Sequence, residues 1–260
     1  MQKTWQLVRI ELLRKWTFAM GLLTPWLGIC AIVRYTVRAQ YGALDAAAGT
    51  ADTVVPIVSL FSLLSSLVFG ATVFQPGEKD GVQFFLYHHP VDRSQIYAVR
   101  YWIDLCLASA VSIVIALLTP LLLSTSWRNA TTAFPVIEVL PFFWLFLFTA
   151  AVFFSPLFSS DFATLAISAV YSPLAFWGLA IWGNAVGLVS IRQWWVVGSI
   201  AVFICGWQLF QRRWILESPW NRRIVAAACL FGATSMVLFI LPFVDFVDLL
   251  YLLGIDLMKL

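Results

Sequence analysis

Residues 53–74, TVVPIVSLFSLLSSLVFGATVF, carry no charged side chain and run straight into residues 75–100, QPGEKDGVQFFLYHHPVDRSQIYAVR. A helix of about 20 residues spans a hydrocarbon layer ~30 Å thick, so the first stretch reads as a membrane crossing. The second is the longest markedly polar segment of the chain and lies between two long apolar runs. It reads as a loop held at a membrane face, open to whatever grips it from the water.

Composition carries that reading to the whole molecule. The chain has 260 residues, 62% hydrophobic, 16% aromatic and 11% charged, with a mean hydropathy of +0.89. A soluble domain is typically ~25% charged, so lipid is the expected solvent. The four cysteines, Cys30, Cys106, Cys205 and Cys229, stand singly in apolar runs. They read as small core residues rather than disulfides or metal ligands. The first sixteen residues are charged and amphipathic, which does not fit a cleavable signal peptide.

Seven stretches are long enough to cross, near 17–37, 53–74, 99–125, 139–158, 162–183, 193–210 and 224–243. They lack barrel alternation and must satisfy their own backbone in lipid, so they are expected to be helical. The expected fold is an all-α polytopic helix bundle with 6–7 crossings, forming one domain over 1–260. The count falls to six if the 183–198 region is re-entrant. Pro56, Pro120, Pro156 and Pro173 fall inside or near the spans and are expected to bend them. Lys and Arg set the orientation. With the N-terminus in the cytoplasm, Lys3, Arg9, Arg14, Lys15, Lys79, Arg93, Arg100, Arg212, Arg213, Arg222 and Arg223 lie inside. Only Arg34, Arg38, Arg128, Arg192 and Lys259 lie outside. Residues 1–16 read as an interfacial helix with Trp5, Val8, Leu12 and Trp16 on one face and Lys3 and Arg14 opposite. Residues 244–260 read as an amphipathic tail, with Asp245, Asp248 and Asp256 on one face.

Within the polar segment, Pro76-Gly77 ends the second span. A short helix follows from Glu78, with Val82, Phe85, Leu86 and His89 on one side and Glu78 and Asp80 at its dipole-favoured start. Pro90 stops it, and Asp92 with Gln95 resembles a capping box opening the third span. The product is a stiff helix within a cytoplasmic loop, 75–98, whose apolar stripe suits a groove on a partner.

These residues resemble the corresponding loop of the membrane subunits of ABC-2-type exporters. That loop commonly runs Glu-x-x-Gly, a leucine-rich helix, then Pro-Val-Ser-Arg, an aliphatic residue and a basic one. Here stand Glu78-x-x-Gly81, Leu86, Pro90-Val91-Asp92-Arg93, Ile96 and Arg100. An amphipathic N-terminal helix with Glu11 and the span layout are similar as well. The chain departs from the pattern at Val82 and Phe84, where the family often has Thr and Glu, at Asp92 in place of serine, and in a seventh span with an acidic tail. The resemblance implies a permease subunit in a bacterial cytoplasmic membrane, paired with a separate ATP-binding subunit that holds ATP and Mg. It implies coupling through Glu78, Gly81, Phe85, Leu86, Pro90 and Arg93, and a second cytoplasmic contact at Ser159, Ser160 and Asp161. A homodimer or a heterodimer with a second permease would line the path.

No G-x-x-x-x-G-K-[ST] occurs in the chain, nor H-E-x-x-H, G-x-S-x-G or GxGD. The chain is therefore expected to be no enzyme, to hold no cofactor or metal itself, and to have no nucleic-acid partner. His88 and His89 are adjacent and diverge on a helix, whereas zinc needs three or four converging ligands. Asp104 is either a proton or substrate site or, favoured by its spacing from Arg100, a carboxylate snorkelling to the interface. Arg34 reads as snorkelling at the outer end of the first span. Gly183 and Gly187 mark either close helix packing or a turn. The spans carry few polar residues beyond Ser and Thr, which favours a hydrophobic or amphipathic cargo. The alternative is an ABC-linked subunit that transmits force or regulates a partner without moving cargo.

Overall fold

The computed structural model describes residues 2–74, 93–123, 140–158, 160–185, 191–212 and 218–240. The described residues are helical apart from short turns, and no strand occurs among them. The helices are α1 (Gln2–Ala71), α2 (Arg93–Leu123), α3 (Leu140–Phe154), α4 (Asp161–Ala185), α5 (Ile191–Gln211) and α6 (Pro219–Ile240). Among the described residues, three stretches are long and apolar enough to cross a membrane: Lys15–Gln40 and Thr53–Ala71, both within α1, and Ser94–Leu123 in α2. Leu140–Phe154, Phe162–Ala175 and Trp195–Gln211 are apolar but shorter.

α1 doubles back on itself. At 1.5 Å per residue a straight helix would place residues 15 and 72 roughly 85 Å apart. Instead Lys15 Nζ donates to the Thr72 carbonyl at 2.8 Å and to Thr72 Oγ1 at 2.7 Å. The element therefore reverses between its two apolar limbs. Contacts with α2 fix their directions. Trp26 Nε1 donates to Thr119 Oγ1 at 3.1 Å and Arg34 Nη1 to the Leu122 carbonyl at 3.0 Å, beyond the Lys15–Asp104 contact, so the first limb runs with α2. Ser65 Oγ lies 2.8 Å from Ser112 Oγ while Thr72 comes level with Asp104 through Lys15, so the second limb runs against it.

The later helices continue the alternation. α3 follows the second limb: Trp144 borders the same cavity as Val58 and Ser62, Gly70 faces Phe148 and Ala151, and Phe74 N donates to Ser155 Oγ at 2.8 Å. Phe154 meets Tyr171 edge-on while Phe146 clusters with Ala175, which sets α4 against α3. Phe146 also meets Trp195, and Phe153 lies beside Gly206, so α5 runs with α3. Ala226 packs near Leu157 and Leu209, and Ala233 near Trp195, which turns α6 back again. The end that gathers residues 72–74, 93–101, 154–160 and 209–222 is called the foot below.

Several sequence expectations change here. α1 begins at Gln2, and no break near residue 16 separates residues 2–16 from the first limb. Leu12 and Trp16 are exposed, and the buried seam of the first limb is Lys15, Ala19, Trp26, Cys30 and Val37. Those positions share one narrow helical stripe, and a limb touching its neighbours along a single seam buries only that stripe. Arg34 does not merely reach toward an interface, because its guanidinium bonds the Leu122 carbonyl in the last turn of α2. Cys30 is buried, but Cys106 and Cys205 are exposed. Pro25, Pro56, Pro120 and Pro173 sit inside continuous helices. Pro156 lies in the turn that follows α3, where Leu157 N bonds the Phe154 carbonyl at 2.9 Å. The acidic tail, 244–260, lies outside the described residues.

Among apolar neighbours, helices are joined by close packing and by hydroxyl bonds rather than by exclusion of water. Many hydroxyls turn back onto their own helix, as Ser109 does to Leu105 and Ser199 to Trp195. Gly70 marks the tightest approach. A Cβ there would stand 2.7 Å from both the Ala151 Cβ and the Phe148 carbonyl, which is backbone that cannot swing aside. Gly28 has nothing within 4 Å of the same position. Gly70→Ala should therefore destabilise the bundle by about 1–3 kcal/mol, and Gly28→Ala should be neutral or stabilise it by up to about 1 kcal/mol. Thermal midpoints of the two variants in one detergent check the contrast; equal midpoints would contradict the packing.

Candidate functional site: a buried ion pair at the root of the polar loop

The foot of the bundle holds a buried ion pair. Lys15 Nζ lies 3.0 Å from Asp104 Oδ2, with side-chain exposures of 0% and 3%. The ammonium also donates to both oxygens of Thr72, and it sits 5.9 Å from the Phe18 ring centroid. An ammonium has three donors, and these three oxygens match them. The site thus joins three segments: the first limb of α1 through Lys15, the last turn of the second limb through Thr72, and α2 through Asp104.

Sequence register explains why Lys15 points inward. It occupies the same stripe as Ala19, Trp26 and Cys30, so the seam that buries those residues buries the lysine too. Asp104 is 2% exposed on α2, near Tyr97, Tyr101, Ala108 and Val111, all buried at helical spacings. The expected snorkelling carboxylate is therefore corrected. Asp104 is enclosed, and a lysine from another segment binds it, because the α1 seam brings an ammonium to that depth. Arg100, one turn earlier, is itself buried at 8%.

Around the pair, both ends of the polar segment are clamped. On one side Phe74 is buried and its N–H bonds Ser155. On the other, Tyr97 stacks on Phe74 with ring centroids 4.8 Å apart and planes 11° from parallel. Phe210 of α5 lies 4.7 Å from the Phe74 centroid and 5.6 Å from that of Tyr97. Gln211 Nε2 donates to Ser94 Oγ at 2.6 Å. Tyr101, one turn above Tyr97, lies 3.2 Å from Thr149 Oγ1 and meets Phe148 and Phe203 edge-on. These contacts join the described residues on either side of 75–92 to α1, α2, α3 and α5.

Of the residues singled out in the sequence, Glu78, Gly81, Phe85, Leu86 and Pro90 lie outside the described residues, as do His88, His89 and Ser159. Arg93 is the first residue of α2 and Asp161 the first of α4. Ser160 is exposed, and its carbonyl accepts the Thr164 N–H at 3.1 Å, the opening bond of α4. Gly183 falls within α4, and Gly187 lies outside the described residues. Among the described residues no three His, Cys, Asp or Glu side chains come together as metal ligands would. Sequence reasoning passed over Lys15, Thr72, Phe74 and Tyr97. The available signal was Lys15 standing four residues before Ala19 and eleven before Trp26, on the seam rather than on the polar face.

Comparison of the chain with protein-family models, with curated proteins and with solved structures finds no match. Among the described residues the fold is all-helical, with three segments apolar and long enough for a bilayer.

Removing one member of a buried pair leaves the other charge without compensation, which costs about 3–5 kcal/mol, whereas replacing both by apolar groups is often close to neutral. Lys15→Met or Asp104→Leu alone should therefore lower the unfolding midpoint sharply, and the double variant should recover most of the loss. Denaturation of the four proteins in one lipid or detergent measures the coupling; strictly additive losses would mean that the pair does not interact.

Proposed function

We propose that this chain is a membrane-spanning permease subunit of an ABC-2-type transporter, driven by a separate ATP-binding subunit that carries ATP and Mg. The observation that carries the reading is the likeness of residues 78–100 to the coupling loop of that family, at Glu78, Gly81, Leu86, Pro90, Arg93, Ile96 and Arg100. The clamped loop ends support it, since a lever works only if its fulcrum is rigid and joined to the parts it moves. In this reading the seven alternating helical segments are seven crossings. The N-terminus, the foot and the polar loop face the cytoplasm of a bacterial cell, and the tail lies outside.

The proposed mechanism is mechanical. Closure of two ATP-binding subunits pushes the helix that begins at Glu78, with Phe85 and Leu86 seated in a groove on the partner. The push passes through Pro90 and Arg93 into α2, while Ser159, Ser160 and Asp161 make a second, smaller contact. Rigid-body rocking of packed helices is the established way for such input to exchange inward-open and outward-open states. Two copies, or this chain with a related permease, enclose the path. A hydrophobic or amphipathic cargo is the proposed class. The apolar spans support it, as does a cavity of about 330 Å³ between the second limb of α1, α2 and α3, bordered by Val58, Ser62, Ile113 and Trp144.

A cysteine at Phe85 should crosslink to a cassette ATPase encoded beside this chain. Arg93→Ala should leave insertion intact while lowering the ATPase stimulation by cargo roughly tenfold, the loss of one charge-assisted bond. Crosslinking that never captures a nucleotide-hydrolysing protein would refute the partner. A reconstituted complex that hydrolyses ATP but moves no lipid or solute would instead favour a force-transmitting subunit without cargo.

A further inference from the structure

Tyr97 is 1% exposed, and its hydroxyl makes no hydrogen bond among the described residues. Buried hydroxyls are nearly always paired, and one that is not asks for an explanation. A serine or threonine in a helix can turn its hydroxyl onto the carbonyl one turn back, as Thr149 does to Leu145. Tyrosine, with its hydroxyl at the far end of a rigid ring, cannot. The hydroxyl of Tyr97 rests instead against the bare backbone of α5, where a Cβ on Gly206 would stand 2.7 Å from it.

We propose that the foot is a two-position switch, in which the Lys15–Asp104–Thr72 latch holds the present arrangement and the unbonded Tyr97 hydroxyl favours a second one, reached by a shift of α2 against α5 past Gly206. Four features carry this. The hydroxyl has a hydrogen bond to gain and none to lose by moving. Glycine at 206 leaves the α5 backbone open to it on that side, with Phe153 of α3 packed beside the same position, so a small shift brings a helix carbonyl within reach. Tyr97 also meets two rings of α5, Phe203 and Phe210, each 5.6 Å away and tilted at 60° and 49°, and the hydrogen bond between the two helices from Gln211 to Ser94 is exposed. Tilted rings slide with little loss of contact, unlike interlocked aliphatic chains. Finally, Tyr97 and Asp104 lie two turns apart on one face of α2, so a shift that rewards the hydroxyl must stretch the ion pair. The two positions are thus opposed by local forces, which is what a bistable packing requires. The switch belongs to this chain and does not depend on an ATP-binding partner.

Cys106 on α2 and Cys205 on α5 are exposed and provide a native pair of label sites on the two helices that move. With Cys30→Ala and Cys229→Ala removing the other two cysteines, the full chain is spin-labelled at Cys106 and Cys205 in phospholipid nanodiscs and its distance distribution read by dipolar EPR. Two separations are expected. Tyr97→Phe, which removes the hydroxyl and keeps the ring, should move the population ratio toward the described separation by about fivefold or more and raise the thermal midpoint. Lys15→Met should move it the other way. A distribution unchanged by both substitutions, or moved by Tyr97→Phe away from the described separation, overturns the switch. If Lys15→Met does not fold, the Tyr97→Phe arm decides alone, since a phenylalanine at a buried, unbonded position is expected to fold at least as well.

Discussion

Everything at the foot depends on placing one ammonium among three oxygens in apolar surroundings. The two charges gain their attraction only after surrendering hydration, and the balance between those terms is close to zero for a well-made pair. The pair is therefore a statement about geometry more than about stability. It tolerates one alignment of the two α1 limbs with α2 and penalises others by several times what a typical hydroxyl bond between membrane helices contributes, about 0.6 kcal/mol. Ser65 with Ser112, Trp26 with Thr119 and Tyr101 with Thr149 refine the fit that Lys15 and Asp104 specify.

Close packing supplies the rest. The second limb of α1 and α3 approach until Gly70 touches Phe148 and Ala151, and this contact lies near the foot, beside Thr72 and Phe74. Polar alignment and steric approach thus converge on the same few residues. Higher up, the helices separate around a cavity bordered by Val58, Ser112 and Trp144. The helices are thus most closely packed beside residues 72–74 and separate away from that end.

Much of this architecture was legible in the sequence because length and hydropathy decide it. The apolar runs at 53–74 and 99–125 correspond to Thr53–Ala71 and Ser94–Leu123, and the later four became α3 to α6 within a few residues of their expected ends. Residues 2–16 run into the first limb without a break, and a charged N-terminal segment looks amphipathic whichever side it buries. Trp16, read on the apolar face, is exposed, while Lys15, its neighbour, is enclosed. Asp104 was misjudged for a related reason. Spacing along one helix suggests Arg100 as the neighbour of the carboxylate, and nothing along the chain announces that a lysine in another segment arrives at the same depth. Residues far apart in sequence meet only through tertiary packing, which composition and periodicity do not encode.

The enclosed lysine also has a history within each newly made molecule. Residue 15 emerges from the ribosome long before residue 104 exists, so the first limb carries a cation without its counterion until α2 is made. The second limb provides the Thr72 oxygens next, and only the arrival of α2 completes the set. The opening helical hairpin therefore holds an incomplete polar set until α2 is made, and the three segments form one electrostatic unit only when the carboxylate is delivered.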